Sequence, residues 1–168
     1  MSLFNRIKNI LKQPEPPKSE KNILTVGPGD VIEVSLITYQ ITGRTRNTHR
    51  NSVFLTLQDG NSIRYLSIEE RERTSFALYS PIDGRLDSFN EVPTTIEMEG
   101  TAYHLEEQYS GNVTVVGRTP FSNGGEQYVW QFQSDDRKLL RIEWQDGRSM
   151  LYEGESVLPA DVQVLRGS

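Results

Sequence analysis

The chain has 168 residues, enough for one domain or two very small ones with a buried core. It has no cysteine and two histidines, His49 and His104, far apart in sequence, which excludes disulfides and thiolate metal sites and leaves no metal-ligand spacing. The net charge of −5 is uneven: Arg6, Lys8, Lys12, Lys18 and Lys21 outnumber Glu15 and Glu20, so the head is basic and the body acidic, a poor surface for nucleic acid.

Leu3, Phe4, Ile7, Ile10 and Leu11 share one stripe at helical spacing, which predicts an amphipathic helix over residues 1–13 with Ser2 as its N-cap. Arg6, Lys8 and Lys12 lie off that stripe. Pro14, Pro16 and Pro17, set among charged residues, predict an extended linker over 14–22. No apolar run approaches the ~20 residues of a membrane span, and there is no secretory leader. The expected compartment is the cytoplasm, with the inner face of the cell membrane as a peripheral location.

From Ile23 the hydrophobic period changes to two. Runs at 31–42, 52–58, 62–68, 76–80, 94–98, 101–108, 112–119, 127–134, 138–145, 148–154 and 162–165 read as strands. Between them stand turn residues, among them Asp59–Asn61, Pro81–Gly84, Glu99-Gly100, Ser110-Gly111, Asp135-Asp136 and Asp146-Gly147. This predicts an all-β fold of barrel or sandwich type. A faint repeat supports two similar antiparallel units in tandem, 23–92 and 93–168, sharing an interface. Ile32, Glu33, Val34, Tyr39 and Ile41 align without gaps to Ile96, Glu97, Met98, Tyr103 and Leu105. ITGRT (41–45) then resembles VVGRT (115–119), and Leu78-Tyr79 resembles Leu151-Tyr152.

The basic leader, the charged proline linker, GPGDVIEV with Tyr39 and Gly43, EGTAYHLEE and the closing IEWQDG…YEGESV together resemble a bacterial domain-of-unknown-function family, number 4178. The resemblance covers about residues 24–166 plus the leader. It implies a bacterial, cytoplasmic accessory protein and supplies no catalytic residues to carry over. In some relatives the gene lies beside genes for membrane-stress proteins of the phage-shock type.

Three groups of residues are candidate sites. Leu3, Phe4, Arg6, Ile7, Lys8, Ile10, Leu11 and Lys12 form an attachment segment for an anionic membrane surface or a partner's groove; packing on the chain's own body is the bland alternative. Arg44, Arg46, His49 and Arg50 gather in the loop 44–51 and could receive an anion or acidic partner, or be a solvated hairpin loop. Trp130 and Trp144 fall on strands paired through Asp135-Asp136 and could offer an aromatic platform, or pack in the core. The carboxylate pairs Glu69-Glu70, Glu106-Glu107 and Asp135-Asp136 read as strand and turn residues rather than acid–base machinery. No GxSxG, phosphate-binding glycine loop or metal constellation occurs, so neither catalysis nor a cofactor is expected. The expected function is a non-catalytic adaptor that recognises a protein partner and attaches through its leader. The alternatives are a peripheral membrane accessory in envelope stress and a small-ligand-binding β-barrel. Self-association is a further reading of the leader.

Overall fold

A computed structural model describes residues 22–86 and 88–166. The expected leader helix, its eight attachment residues and all of the linker except Asn22 lie outside the described residues.

The described chain is all-β, apart from two short 3-10 turns at Phe89–Glu91 and Pro159–Asp161. Its strands are β1 (Val31–Val34), β2 (Ile37–Asn47), β3 (Ser52–Asp59), β4 (Ser62–Glu70), β5 (Thr74–Ile82), β6 (Thr95–Met98), β7 (Thr101–Gly117), β8 (Gly125–Ser134), β9 (Lys138–Gln145), β10 (Arg148–Val157) and β11 (Val162–Arg166). They form one antiparallel sheet of 11 strands in the order β11-β1-β2-β3-β4-β5-β10-β9-β8-β7-β6.

A further pairing of Gly43–Asn47 in β2 with Val113–Gly117 in β7 closes the strands from β2 round to β7 into a ring. β1 and β11 continue the sheet outward from the first half of β2, and β6 does so from the first half of β7. Closure removes the edges that the long strands would otherwise expose.

The ring explains why several strands are buried on both faces. In β3 every residue from Val53 to Leu57 is buried. Val53, Leu55 and Leu57 face outward into a hydrophobic cluster with Ile32, Val34, Tyr39, Ile41, Leu66, Ile68 and Phe76. That cluster is covered by β1, β11 and the segment Ile23–Val26. A second outer cluster, around Trp130, Phe132, Leu140 and Ile142, is covered by β6 and by Leu86 and Val92. The other face of β3, with Phe54, turns into the ring.

There Phe54 stacks on Tyr65 at 5.2 Å between centroids, and Tyr152 meets both edge-on at 5.3 and 5.2 Å. Each such aromatic contact contributes about 0.5–1.5 kcal/mol beyond the area it buries.

Three expected boundaries differ. The run 31–42 is broken by a two-residue hairpin turn at Ser35-Leu36, both with positive φ (48° and 69°). Neither residue favours that region, so composition does not signal the turn. Pro81 and Ile82, expected in a turn, continue β5 opposite Tyr152 and Leu151. Ser110-Gly111, expected as a turn, lies inside the unbroken β7. A Cβ on Gly111 would come within 2.5 Å of the Asn47 side chain, so this glycine marks a close approach inside the ring.

The segments ITGRT and VVGRT are direct cross-strand partners, Gly43 opposite Gly117. A Cβ on Gly43 would sit 1.7 Å from the Arg118 carbonyl oxygen, so the closure tolerates only glycine there.

Candidate binding groove

The interior of the ring carries charge as well as aromatic rings. On β9, Leu140 and Ile142 point outward, and Arg141 and Glu143, between and beyond them, point inward. Arg141 is 4% exposed and Glu143 1%. Arg141 Nε donates to Glu143 Oε2 at 3.1 Å, the Tyr152 hydroxyl donates to Glu143 Oε1 at 2.6 Å, and the Arg141 guanidinium lies 4.5 Å from the Phe54 ring. Burial pushes the Tyr152 phenol far up, reinforced by Glu143; burial also pushes Tyr79 up, to about 12. Side chains fill this interior: the cavity beside Arg141, Phe54 and Tyr109 measures about 10 Å³, no more than one water.

One end of the ring is closed by an ion cluster. Arg50 NH1 lies 2.8 Å from Glu107 Oε1, its guanidinium sits 3.7 Å over the Tyr109 ring, and Arg71 NH2 reaches the same Glu107 oxygen. Glu69 lies within 3.6 Å of Arg50 and accepts from Gln131. Burial acts to raise the Glu107 carboxyl, but the hydrogen bonds from Arg50 and Arg71 prevail and hold it below the usual range. Two of the carboxylate pairs noted in the sequence thus each send one member to a structural clamp.

The basic loop does not gather as expected. Residues 44–47 belong to β2 and only 48–51 form the turn. Arg44 turns back to donate to the Leu24 carbonyl at 2.7 Å, and burial followed by Arg46 lowers its guanidinium. Arg46 and His49 are exposed, and Arg50 is committed to the clamp. The tryptophans are not an open platform either. Trp130 is 2% exposed, and Phe89 covers the neighbouring rings, stacked on Tyr128 at 5.0 Å and tilted against Trp144 at 6.1 Å. His104 is exposed on β7.

A wider concavity than the one beside Arg141 lies elsewhere, on the outer face over the seam where β5 pairs with β10. It is an open groove of about 820 Å³. Its floor is apolar: Leu140 and Tyr103 are buried, and Leu78, Ile82 and Met98 are half-buried beside them. Its walls carry Asp83, Glu99, Glu153 and Glu155. Glu153 and Glu155 share a face because they stand two apart on β10. Of the two cations in the lining, Arg64 donates to Ser80 Oγ at 2.6 Å, and Lys138 lies 3.8 Å from Asp136 and opposite Glu155 in the ladder. Burial pushes the Tyr103 phenol up, and the nearby carboxylates of Glu153, Asp136 and Glu99 push the same way. At the seam, a Cβ on Gly154 would meet the Leu78 carbonyl oxygen and the Tyr79 ring at 2.5 Å. This glycine lets β10 approach β5 closely enough for one continuous floor.

Sequence reasoning missed the groove; its one signal was the spacing of the acids in YEGES. Among the described residues no His, Asp or Glu group is arranged to hold a metal ion. No helix there is long and apolar enough to cross a membrane.

Residues 27–159 match the family described as Domain of unknown function (DUF4178). Neither the curated proteins nor the solved structures include a match to the chain.

Proposed function

Because the chain belongs to the DUF4178 family, whose description assigns no activity, we propose a function from the groove: a non-catalytic binding module that receives a positively charged, amphipathic segment of a protein. The observation that carries this reading is the combination of an apolar floor with four wall carboxylates in one open groove. An apolar floor contributes affinity through burial, about 25 cal/mol per Å². A rim in which four carboxylates outnumber two cations, Arg64 and Lys138, favours a cationic segment and speeds its encounter.

We further read the body as two copies of one five-strand unit, β1–β5 and β6–β10. In its favour, β2 and β7 carry bulges at aligned positions, between Ile41 and Gly43 and between Leu105 and Glu107. The two units would meet at β2–β7 and at the β5–β10 seam, which places the groove where both contribute.

The test uses a short labelled peptide of leucine and lysine, amphipathic as a helix, and fluorescence anisotropy on the full chain. Binding should weaken with salt, and weaken about tenfold or more in the Glu153→Lys/Glu155→Lys variant, the effect of losing two rim attractions and adding two repulsions. Equal binding to the variant, or equal binding of a leucine–glutamate peptide, contradicts the reading.

A further inference from the structure

We propose that the groove is the docking site for this chain's own basic leader, residues 2–13, an inference that rests on the binding reading above and names its occupant. Three observations converge on it. The charges are complementary: Arg6, Lys8 and Lys12 belong to the leader, and in the groove Asp83, Glu99, Glu153 and Glu155 outnumber Arg64 and Lys138. The apolar parts are complementary too, since the stripe Leu3, Phe4, Ile7, Ile10 and Leu11 requires an apolar floor, and Leu78, Ile82, Met98, Tyr103 and Leu140 form one.

The third is reach. Ile23 and Leu24 pack against the same outer cluster as Leu78, a residue of the groove floor. Leu24 is tied to Arg44 of β2, and β2 is three strand spacings from β5, about 14 Å around the ring. The prolines of residues 14–21 predict an extended linker, and eight residues at about 3.1 Å each would reach about 25 Å.

The absence of cysteine allows one introduced thiol to report position. The full chain carrying Ser2→Cys, with a nitroxide attached, is read by the paramagnetic broadening of backbone amides. The expected result is broadening of Ile82, Met98, Tyr103 and Gly154 but not of Gly124 or Gly125. It should disappear in high salt, in the Glu153→Lys/Glu155→Lys background, and on addition of the leucine–lysine peptide. Three results overturn the proposal. One is the absence of broadening in the groove. Another is broadening that survives charge reversal. The third is broadening only in a mixture of spin-labelled and isotope-labelled chains, which assigns the contact to a second copy. The peptide arm separates the two claims. Groove amides that shift with peptide but are not broadened by the label leave the binding reading standing and remove the leader; amides that respond to neither remove both.

Discussion

Arg141, Glu143 and Tyr152 form a buried hydrogen-bonded network in which each polar group depends on another for its partner. A buried pair of charges is costly to assemble and costlier to break, because removing one member strands the other. Glu143→Gln should therefore lower unfolding free energy by about 3–5 kcal/mol, and Tyr152→Phe by about 1.5–3 kcal/mol for the lost hydrogen bond to a charged acceptor, both measured by denaturant titration. If Glu143→Gln costs no more than an ordinary surface change, the interior is not the anchor described here.

The same cluster sets a limit at high pH. Burial holds the Tyr79 phenol at about 12 in the folded chain, against about 10 when exposed. A raised phenol leaves stability intact below pH 10 and removes it as pH climbs from 10 toward 12, by about 3 kcal/mol at most. Tyr79→Phe should flatten that decline. At the acid end the sign reverses. Glu107 is held below its usual range by Arg50 and Arg71, so its contribution is present above the ordinary glutamate range and lost as pH falls through the folded value. Glu107→Gln should lose this acid sensitivity while the parent keeps it. None of these interior roles was legible in KLLRIEWQ. Alternation assigns Arg141 and Glu143 to the face away from Leu140 and Ile142, and nothing local says that this face is enclosed.

At the scale of elements, composition located the strands well and some of their ends poorly. The turns at Gly60-Asn61, Glu99-Gly100 and Asp146-Gly147 each carry a glycine at positive φ, and that glycine made them legible. Ser35-Leu36 makes the same kind of turn with residues that resist it, and it leaves Leu36 90% exposed. Replacing the pair by Asn-Gly should raise stability by about 1–2 kcal/mol, since each left-handed residue with a Cβ costs roughly that, read as a shift in denaturation midpoint. No gain would mean that Ser35 and Leu36 have offsetting contacts. Gly111 misled in the opposite direction, because a glycine in a strand can mark a neighbour's approach as readily as a turn. At Gly154 the same geometry predicts that Gly154→Ala, forced against Leu78 and Tyr79, destabilises by about 1–3 kcal/mol and disturbs the groove floor.

The whole molecule is where pattern alone ran out. Ring closure joins Gly43–Asn47 to Val113–Gly117 across almost half the chain, and the second seam joins β5 to β10. Both are long-range pairings that local periodicity does not encode. Without them the basic residues 44–51 look like a loop, and Trp130 reads as either an aromatic platform or core. With them Arg50 is a clamp, Trp130 is core, and the acids of YEGES line a shared concavity. The leader's basic amphipathic pattern was legible from the start, but the acidic groove that complements it exists only after closure. The central claim is that this groove, rather than the loop around His49 or the aromatic cluster under Phe89, is the functional surface. Titrating the isotope-labelled full chain with the leucine–lysine peptide and following every backbone amide tests it most directly. Shifts concentrated at Leu78, Ile82, Met98, Tyr103, Glu153 and Glu155, and abolished by reversing the last two charges, are the predicted result. Shifts centred on Arg46 and His49 or on Phe89 and Trp144, or none at saturating peptide, would contradict it.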